Sequence, residues 1–219
     1  GTATAPSVMQ ASSPSVRILP TAAGTSAQVS FVGPGTASIT VSDSAGTGYN
    51  SATTNTVTVT GPSLSLYNGT PKLGMRQHNG TSGAYVSVPN NIVGTPLIVY
   101  LTSSDPSVVS VQDSVIIPIG TYYAYFRVTA HDAVATVQIT ATAIGYSSAS
   151  TNQQVTAPRF VISSTSSMRR TQSPATVTVY ATDADGNQHP VTENVVVRLS
   201  SSAAGVASID SATVTIAAN

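Results

Sequence analysis

Three histidines, His78, His131 and His189, are the side chains best suited to proton transfer or metal ligation, and only His131 has a carboxylate beside it, Asp132. Neighbours on a strand project from opposite faces, which makes that pair a poor chelate. Exposed turns are the expected setting for all three. The run Asp183-Ala-Asp185-Gly186-Asn187 begins like a calcium loop, with alternating oxygen ligands. The bidentate glutamate expected at its twelfth position is replaced by Asn194, with Glu193 alongside. Asp and Asn followed by Gly are equally the residues of a tight turn, so a turn and a calcium site through Asp183, Asp185 and Asn187 both remain open.

Serine is abundant, yet no GxSxG elbow is present and no His and Asp are placed to serve one serine. A glycosidase needs two carboxylates across a cleft, and one glutamate with scattered aspartates offers a pair only by accident. No glycine-rich loop leads into a helix to cradle phosphate. A non-enzyme is expected, and no catalytic, cofactor-binding or metal residue is assigned. Tyr122, Tyr123, Tyr125 and Phe126 form the one aromatic cluster. Alternation places Tyr122 with Ala124 and Phe126 on one face and Tyr123 with Tyr125 on the other. The second pair is either cross-strand packing or a platform for a sugar ring or neighbouring domain. Asn68-Gly-Thr70 and Asn79-Gly-Thr81 fit the N-glycosylation pattern, and NG is also a turn signal. The Ser/Thr-rich surface is a second place for glycans. Arg169 and Arg170 are expected to be solvated.

The elements that carry these residues follow from composition. The chain has 219 residues, of which 7% are charged, with 8 Lys+Arg against 8 Asp+Glu. An ordinary domain carries about 25%, and this balance excludes an electrostatic nucleic-acid or membrane-surface partner. Lys72 is the one lysine and Glu193 the one glutamate, so the residues that clothe surface helices are nearly missing. Ser, Thr and Val take their place, punctuated by 16 Gly and 13 Pro, and this reads as all-β. Zero Cys removes disulfides and thiolate metal sites. Apolar runs such as Val115–Ile119 are too short to span a bilayer. The chain opens without a basic region and apolar core, so Gly1 is expected to be a processed end or the edge of a longer product. An almost uncharged Ser/Thr surface points outside the cell, to an extracellular or cell-surface location.

A repeat organises the chain. The segment from Gly24 matches that from Gly120 at an offset of 96, through the Gly-Tyr turns at Gly48 and Gly145 at an offset of 97, to the prolines at Pro62 and Pro158 at 96 again, so the register holds with one small gap. Residues 5–10 match 105–110 at an offset of 100, and 198–210 match 100–113 at an offset near 98. One complete repeat of about 96 residues occupies 62–157, flanked by partial ones at 1–61 and 158–219. Within it, period-two alternation between turn signals predicts about seven strands. They run over 63–67, 84–88, 97–102, 108–111 continuing through 115–117, 122–128, 136–142 and 150–156. In the sixth, Val137, Ile139, Ala141 and Ala143 share one face and Thr136, Gln138, Thr140 and Thr142 the other, the pattern of a half-buried antiparallel strand. Seven such strands in this length make a two-sheet sandwich.

On SSDPSVVSV, VIIPIGTYYAYFRV and ATVQITATAIGYSSAS in the complete repeat, with GTASITVSDSAGTGYNSATTNTVTVT before it and VTVYATDADGNQHPVTENVVVRLSSS after it, the chain resembles bacterial immunoglobulin-like repeat domains of the invasin and intimin type. The resemblance implies tandem immunoglobulin-like sandwiches in a surface or secreted protein, and no catalytic residues. Residues 1–61 match only the second half of the template and 158–219 only its first half. Each leaves a sheet edge unpaired and a core face uncovered, and neither is expected to fold alone. Two arrangements follow: a window of a longer array, whose flanking repeats complete both ends, or subunits joined head to tail by strand complementation. The two partial pieces share roughly 25 residues of template, which favours the window. The expected function is a structural stalk, fibre or filament whose partners are copies of itself or flanking repeats. An adhesin or carbohydrate-binding module, with Tyr123 and Tyr125 as the contact to a glycan, is the alternative.

Overall fold

The structure is a computed structural model, and it describes residues 2–3, 9–11, 18, 23–44, 46–163 and 175–219. Every regular element among these is a β-strand. Residues 1–64 with 142–148 form one compact unit, and 65–141 with 149–219 form a second.

The first unit holds β1 (Thr2–Ala3), β2 (Met9–Ala11), β3 (Val29–Phe31), β4 (Gly35–Ala37), β5 (Ile39–Val41), β6 (Ala52–Thr53) and β7 (Val57–Val59). They pair as β1-β5-β6, β2-β3 and β4-β7. Its core is small: Ala37 is buried, with Val29, Ile39 and Val59 partly buried against it. Val32, Val41 and Val57 stay exposed.

The second unit begins with β8 (Ser65–Asn68), β9 (Lys72–Gly74), β10 (Ala84–Ser87), β11 (Leu97–Ser103), β12 (Val109–Val111), β13 (Ser114–Ile117), β14 (Tyr123–Phe126), β15 (Val128–Ala130), β16 (Thr136–Thr142) and β17 (Ala149–Thr156). It continues with β18 (Arg159–Ser163), β19 (Thr178–Thr182), β20 (Val195–Arg198) and β21 (Thr213–Ile216). A three-stranded sheet β14-β10-β8 and a five-stranded sheet β13-β11-β16-β17-β9 carry the main core. The first contributes Ala84, Val86 and Phe126, and the second Leu73, Val99, Leu101, Ile117, Val137, Ile139, Ala141 and Val155, all buried. The alternation expected for β16 is the one seen, with Val137, Ile139 and Ala141 inside.

Three features depart from the sequence-based expectations. The segment 108–117 is not one strand: it breaks at Gln112–Asp113, so that β12 pairs with β15 while β13 joins the five-stranded sheet. The segment 122–128 breaks in the same way at Arg127, whose amide donates to Gln112 Oε1 at 2.8 Å. Both breaks let one strand serve two sheets, a corner that unbroken alternation cannot make. The third feature is β9, which pairs in parallel with β17 through Lys72↔Gln154, Leu73↔Val155 and Gly74↔Thr156. Three residues between Pro71 and a turn are too few to show a period.

Asn79 repairs the break between β14 and β15. Its Nδ2 donates to the Phe126 carbonyl at 3.3 Å and its Oδ1 accepts from the Val128 amide at 2.9 Å, so one buried amide replaces a missing rung on either side of Arg127. The second glycosylation pattern therefore has its acceptor nitrogen inside the protein, engaged with main chain. Replacing Asn79 by Ala leaves buried main-chain groups unpaired, at a cost of about 1–3 kcal/mol. Urea denaturation of the Asn79→Ala protein is expected to show that loss with an unchanged m-value.

Candidate functional site

The residues of chemical interest converge on the place where 158–219 meets the central sandwich, within the second unit. After β9 the chain turns back on itself at Arg76, the only non-glycine with a positive φ (59°) among the described residues. The turn is tied by Gly74 N–H donating to Gln77 Oε1 at 2.7 Å and Met75 N–H to the Thr156 carbonyl at 3.0 Å. Residues 77–79 then run along the free edge of β15. Ala130 N–H donates to the Gln77 carbonyl at 2.8 Å, and Asn79 N–H to the Val128 carbonyl at 3.1 Å. On its other edge the same segment takes 190–192. His78 N–H donates to the Pro190 carbonyl at 3.0 Å, Thr192 N–H to the Arg76 carbonyl at 2.9 Å, and Gln77 sits antiparallel to Val191. Proline tolerates this edge because only its carbonyl is needed there. Asn219 N–H extends the ladder by donating to the Val191 carbonyl at 3.3 Å. One ribbon of main-chain hydrogen bonds thus runs β12, β15, 77–79, 190–192 and on to Asn219.

His78 is buried in this ribbon. Its Nδ1 accepts from Gly80 N–H at 3.0 Å, so the proton sits on Nε2, which donates to the Asn219 carbonyl at 2.8 Å. A ring fixed by one donor and one acceptor is neutral, and burial first, with the nearby Arg127 charge, holds its pKa below the ordinary 6.5 against the opposing Asn219 bond. His189 is half-buried as a residue, but its side chain is only 6% exposed, with Nε2 at 3.2 Å from Asp183 Oδ2. His131, half-buried, reaches Ser110 Oγ at 2.9 Å. The expectation of three exposed-turn histidines is therefore corrected: the polar ring atoms of His78 and His189 complete buried hydrogen bonds.

Asp183 organises the turn after β19. Its Oδ1 accepts from the amides of Asp185 (2.9 Å) and Asn187 (3.0 Å), and its Oδ2 from Asn187 Nδ2 (3.1 Å) and His189 Nε2. Burial pushes its pKa up, but the Asn187 and His189 bonds outweigh that and hold it below 3.8. Both oxygens that a calcium loop would offer are thus engaged by protein donors, and Asp185 Oδ2 is taken by Lys72 Nζ at 2.6 Å. Among the described residues no three His, Asp or Glu side chains gather to hold a metal. The turn is fastened to the central sandwich by Ala184 N–H donating to Thr156 Oγ1 at 3.1 Å.

Arg76 forms ion pairs with Asp132 and Glu193, so Arg76, Lys72 and Glu193 all serve this joint. These groups are roughly half exposed, and such pairs orient more than they stabilise. Arg76 and Glu193 also line a cavity of about 410 Å³, together with Met75, Gln77, Phe160 and Val191 among others. Sequence reasoning missed the joint because QHNG reads as a turn; the signal available was that a lone Lys and a lone Glu are rarely idle in a chain so poor in charge.

The second candidate is the outer face of β14-β10-β8. Tyr123 and Tyr125 share that face as expected, but registers Tyr85↔Tyr67 and Tyr85↔Tyr125 bring in two tyrosines from other strands. Tyr67 stacks on Tyr85 at 4.9 Å between ring centroids, and Tyr85 meets Tyr123 and Tyr125 edge-on at 5.9 and 6.0 Å. Tyr122 lies before the strand, half exposed and edge-on to Tyr123 at 5.1 Å, rather than on the core face with Phe126. Asn68, in the other glycosylation pattern, donates to the buried Gln153 Oε1 at 2.9 Å. Arg169 and Arg170 lie outside the described residues.

No protein-family model matches the sequence, and a search of curated proteins gives no match. Among solved structures, those similar to this chain include three of the surface-layer protein SbsC. Its domains 1–6 are 19% identical with a TM-score of 0.36 over 90% of this chain, and its domains 4–9 are 20% identical with 0.35 over 91%. A longer SbsC structure is 20% identical with a TM-score of 0.38 over 95%. The chain spans 25%, 30% and 28% of those chains.

The two pKa directions fix how stability depends on acid. A folded-state pKa below the unfolded value means stabilisation that is complete above the unfolded value and lost as pH falls through the folded one. The His78 contribution is full above pH 6.5 and declines below it; that of Asp183 is full above pH 3.8 and declines below it. Urea midpoints measured from pH 8 to 3 are expected to fall in two stages, and His78→Gln to remove the first alone.

Proposed function

We propose that the chain belongs to a non-enzymatic extracellular structural protein, a tandem array of immunoglobulin-like sandwiches acting as a stalk, fibre or surface-layer element. The observation that carries this reading is the main-chain ladder through 77–79 and 190–192. It couples one sandwich to the next segment of chain by β-pairing instead of a flexible linker, so the two resist bending as one body.

Strand pairing supports the array. The antiparallel pair β20·β21, with Val195 opposite Ile216, repeats β11·β13, with Leu97 opposite Ile117. The pair β18·β19 repeats β8·β10, and β2·β3, with Met9 opposite Phe31, repeats β12·β15, with Val109 opposite Ala130. An adhesin or glycan-binding role has one observation in its favour, the half-exposed Tyr67, Tyr122 and Tyr125. Their rings, however, pack against one another, which leaves less ring face for a sugar.

Two measurements separate the readings. Imaging of the native material is expected to show rigid rods or filaments with a spacing set by these domains. A glycan array probed with the full chain is expected to give no binding up to millimolar ligand, and saturable binding lost in a Tyr125→Ala protein would instead establish the glycan role.

A further inference from the structure

Five of the nine tyrosines, Tyr67, Tyr85, Tyr122, Tyr123 and Tyr125, form one connected set of rings at the outer face of β14-β10-β8. Among the described residues the other four, Tyr49, Tyr100, Tyr146 and Tyr180, make no ring contact. Geometry within the set is not uniform. Tyr67 and Tyr85 stack at 4.9 Å with 25° between their planes, whereas the other contacts are edge-on, at 64° to 89°. The stack is built into the sheet, because Tyr67 and Tyr85 are opposed residues of the antiparallel pair β8·β10. Gly69 leaves room for the Tyr67 ring, since a Cβ there would lie 2.9 Å from Cε1, a ring carbon beside the phenol oxygen.

That arrangement matters once a phenol is oxidised. A phenoxyl radical carries its unpaired electron on the oxygen and on the two Cε carbons, in lobes perpendicular to the ring. Stacked rings turn those lobes toward one another, and edge-on rings set them at right angles. The chain has no Cys and no Trp to take up oxidation in place of tyrosine. Tyr122 and Tyr125 are half exposed, and ring-to-ring steps of 5.1 to 6.0 Å connect them through Tyr123 to Tyr85. A radical formed on either therefore has a route to the stack.

We propose that the Tyr67–Tyr85 stack is a site of oxidative cross-linking, at which a peroxide joins the two rings through a Cε–Cε bond. Each phenol gives up one electron and its hydroxyl proton, and the two Cε carbons bond. Each of those carbons then loses its hydrogen as a proton while its oxygen regains one, which restores both phenols. The net loss of two electrons and two protons converts one hydrogen peroxide into two waters. The link closes the loop 68–84, which carries β9, the Arg76 turn and the segment 77–79. It is a staple across the sheet in a chain without disulfides.

The test is oxidation of the dilute full-length chain by hydrogen peroxide with a haem peroxidase. The expected product is a monomer that has lost two hydrogens by intact mass, shows the blue fluorescence of dityrosine, and yields one cross-linked peptide joining Tyr67 to Tyr85. Tyr67→Phe and Tyr85→Phe proteins are expected to lose the intramolecular link, and Tyr125→Phe to keep it but form it more slowly. Oxidation in urea, where the stack is gone, is expected to abolish the selectivity for this pair. Links mainly between copies, links spread over the other tyrosines, oxygen addition without a link, or an equal Tyr67–Tyr85 yield in urea would each overturn the proposal.

Discussion

Everything at the joint depends on the segment 77–79 having hydrogen-bonding edges on both sides. A strand buried between two others satisfies all its main-chain groups, and here one neighbour belongs to the central sandwich and the other to the segment that follows. Removing either neighbour leaves one edge of 77–79 unpaired. That constraint explains why side chains around it are so specifically used: Asn79 fills the gap left at Arg127, His78 is held neutral between Gly80 and Asn219, and Gln77 closes the turn onto Gly74. The positive φ of Arg76 is the backbone cost of bringing this segment round from β9.

A chain with 7% charged residues and no cysteine has few other ways to make a firm connection. Surface ion pairs contribute little, and disulfides are absent. Backbone pairing is indifferent to side-chain charge, and it suits a surface of Ser and Thr. The few charges present are placed where they orient the pairing: Arg76 between Asp132 and Glu193, and Lys72 on Asp185. The low charge, which first only excluded electrostatic partners, also means that strand edges here carry little of the charge repulsion that normally guards them.

How much of this was legible in the sequence varied with the range of the interaction. The inward set Val137, Ile139 and Ala141 could be read from alternation because half-burial imposes period two on one strand. Cross-strand partners were not readable: Tyr67 and Tyr85 join Tyr125 through registers that no single segment encodes. The corners at Gln112–Asp113 and Arg127 interrupt alternation by too little to stand out, and β9 is too short. His78 and Asn79 were misplaced because Asn-Gly and nearby glycines announce a turn, whereas a buried polar side chain is chosen for the main-chain groups it satisfies, and those are set by tertiary structure.

Native-state hydrogen exchange tests the ladder most directly. If 77–79 is shared between the sandwich and the following segment, the amides of His78, Thr192 and Ala130 exchange only through the opening that also releases the core strand amides of β16, with the same denaturant dependence. Exchange of His78 and Thr192 at the rate of exposed turns, while β16 stays protected, would mean that the two parts are merely tethered and would contradict the account.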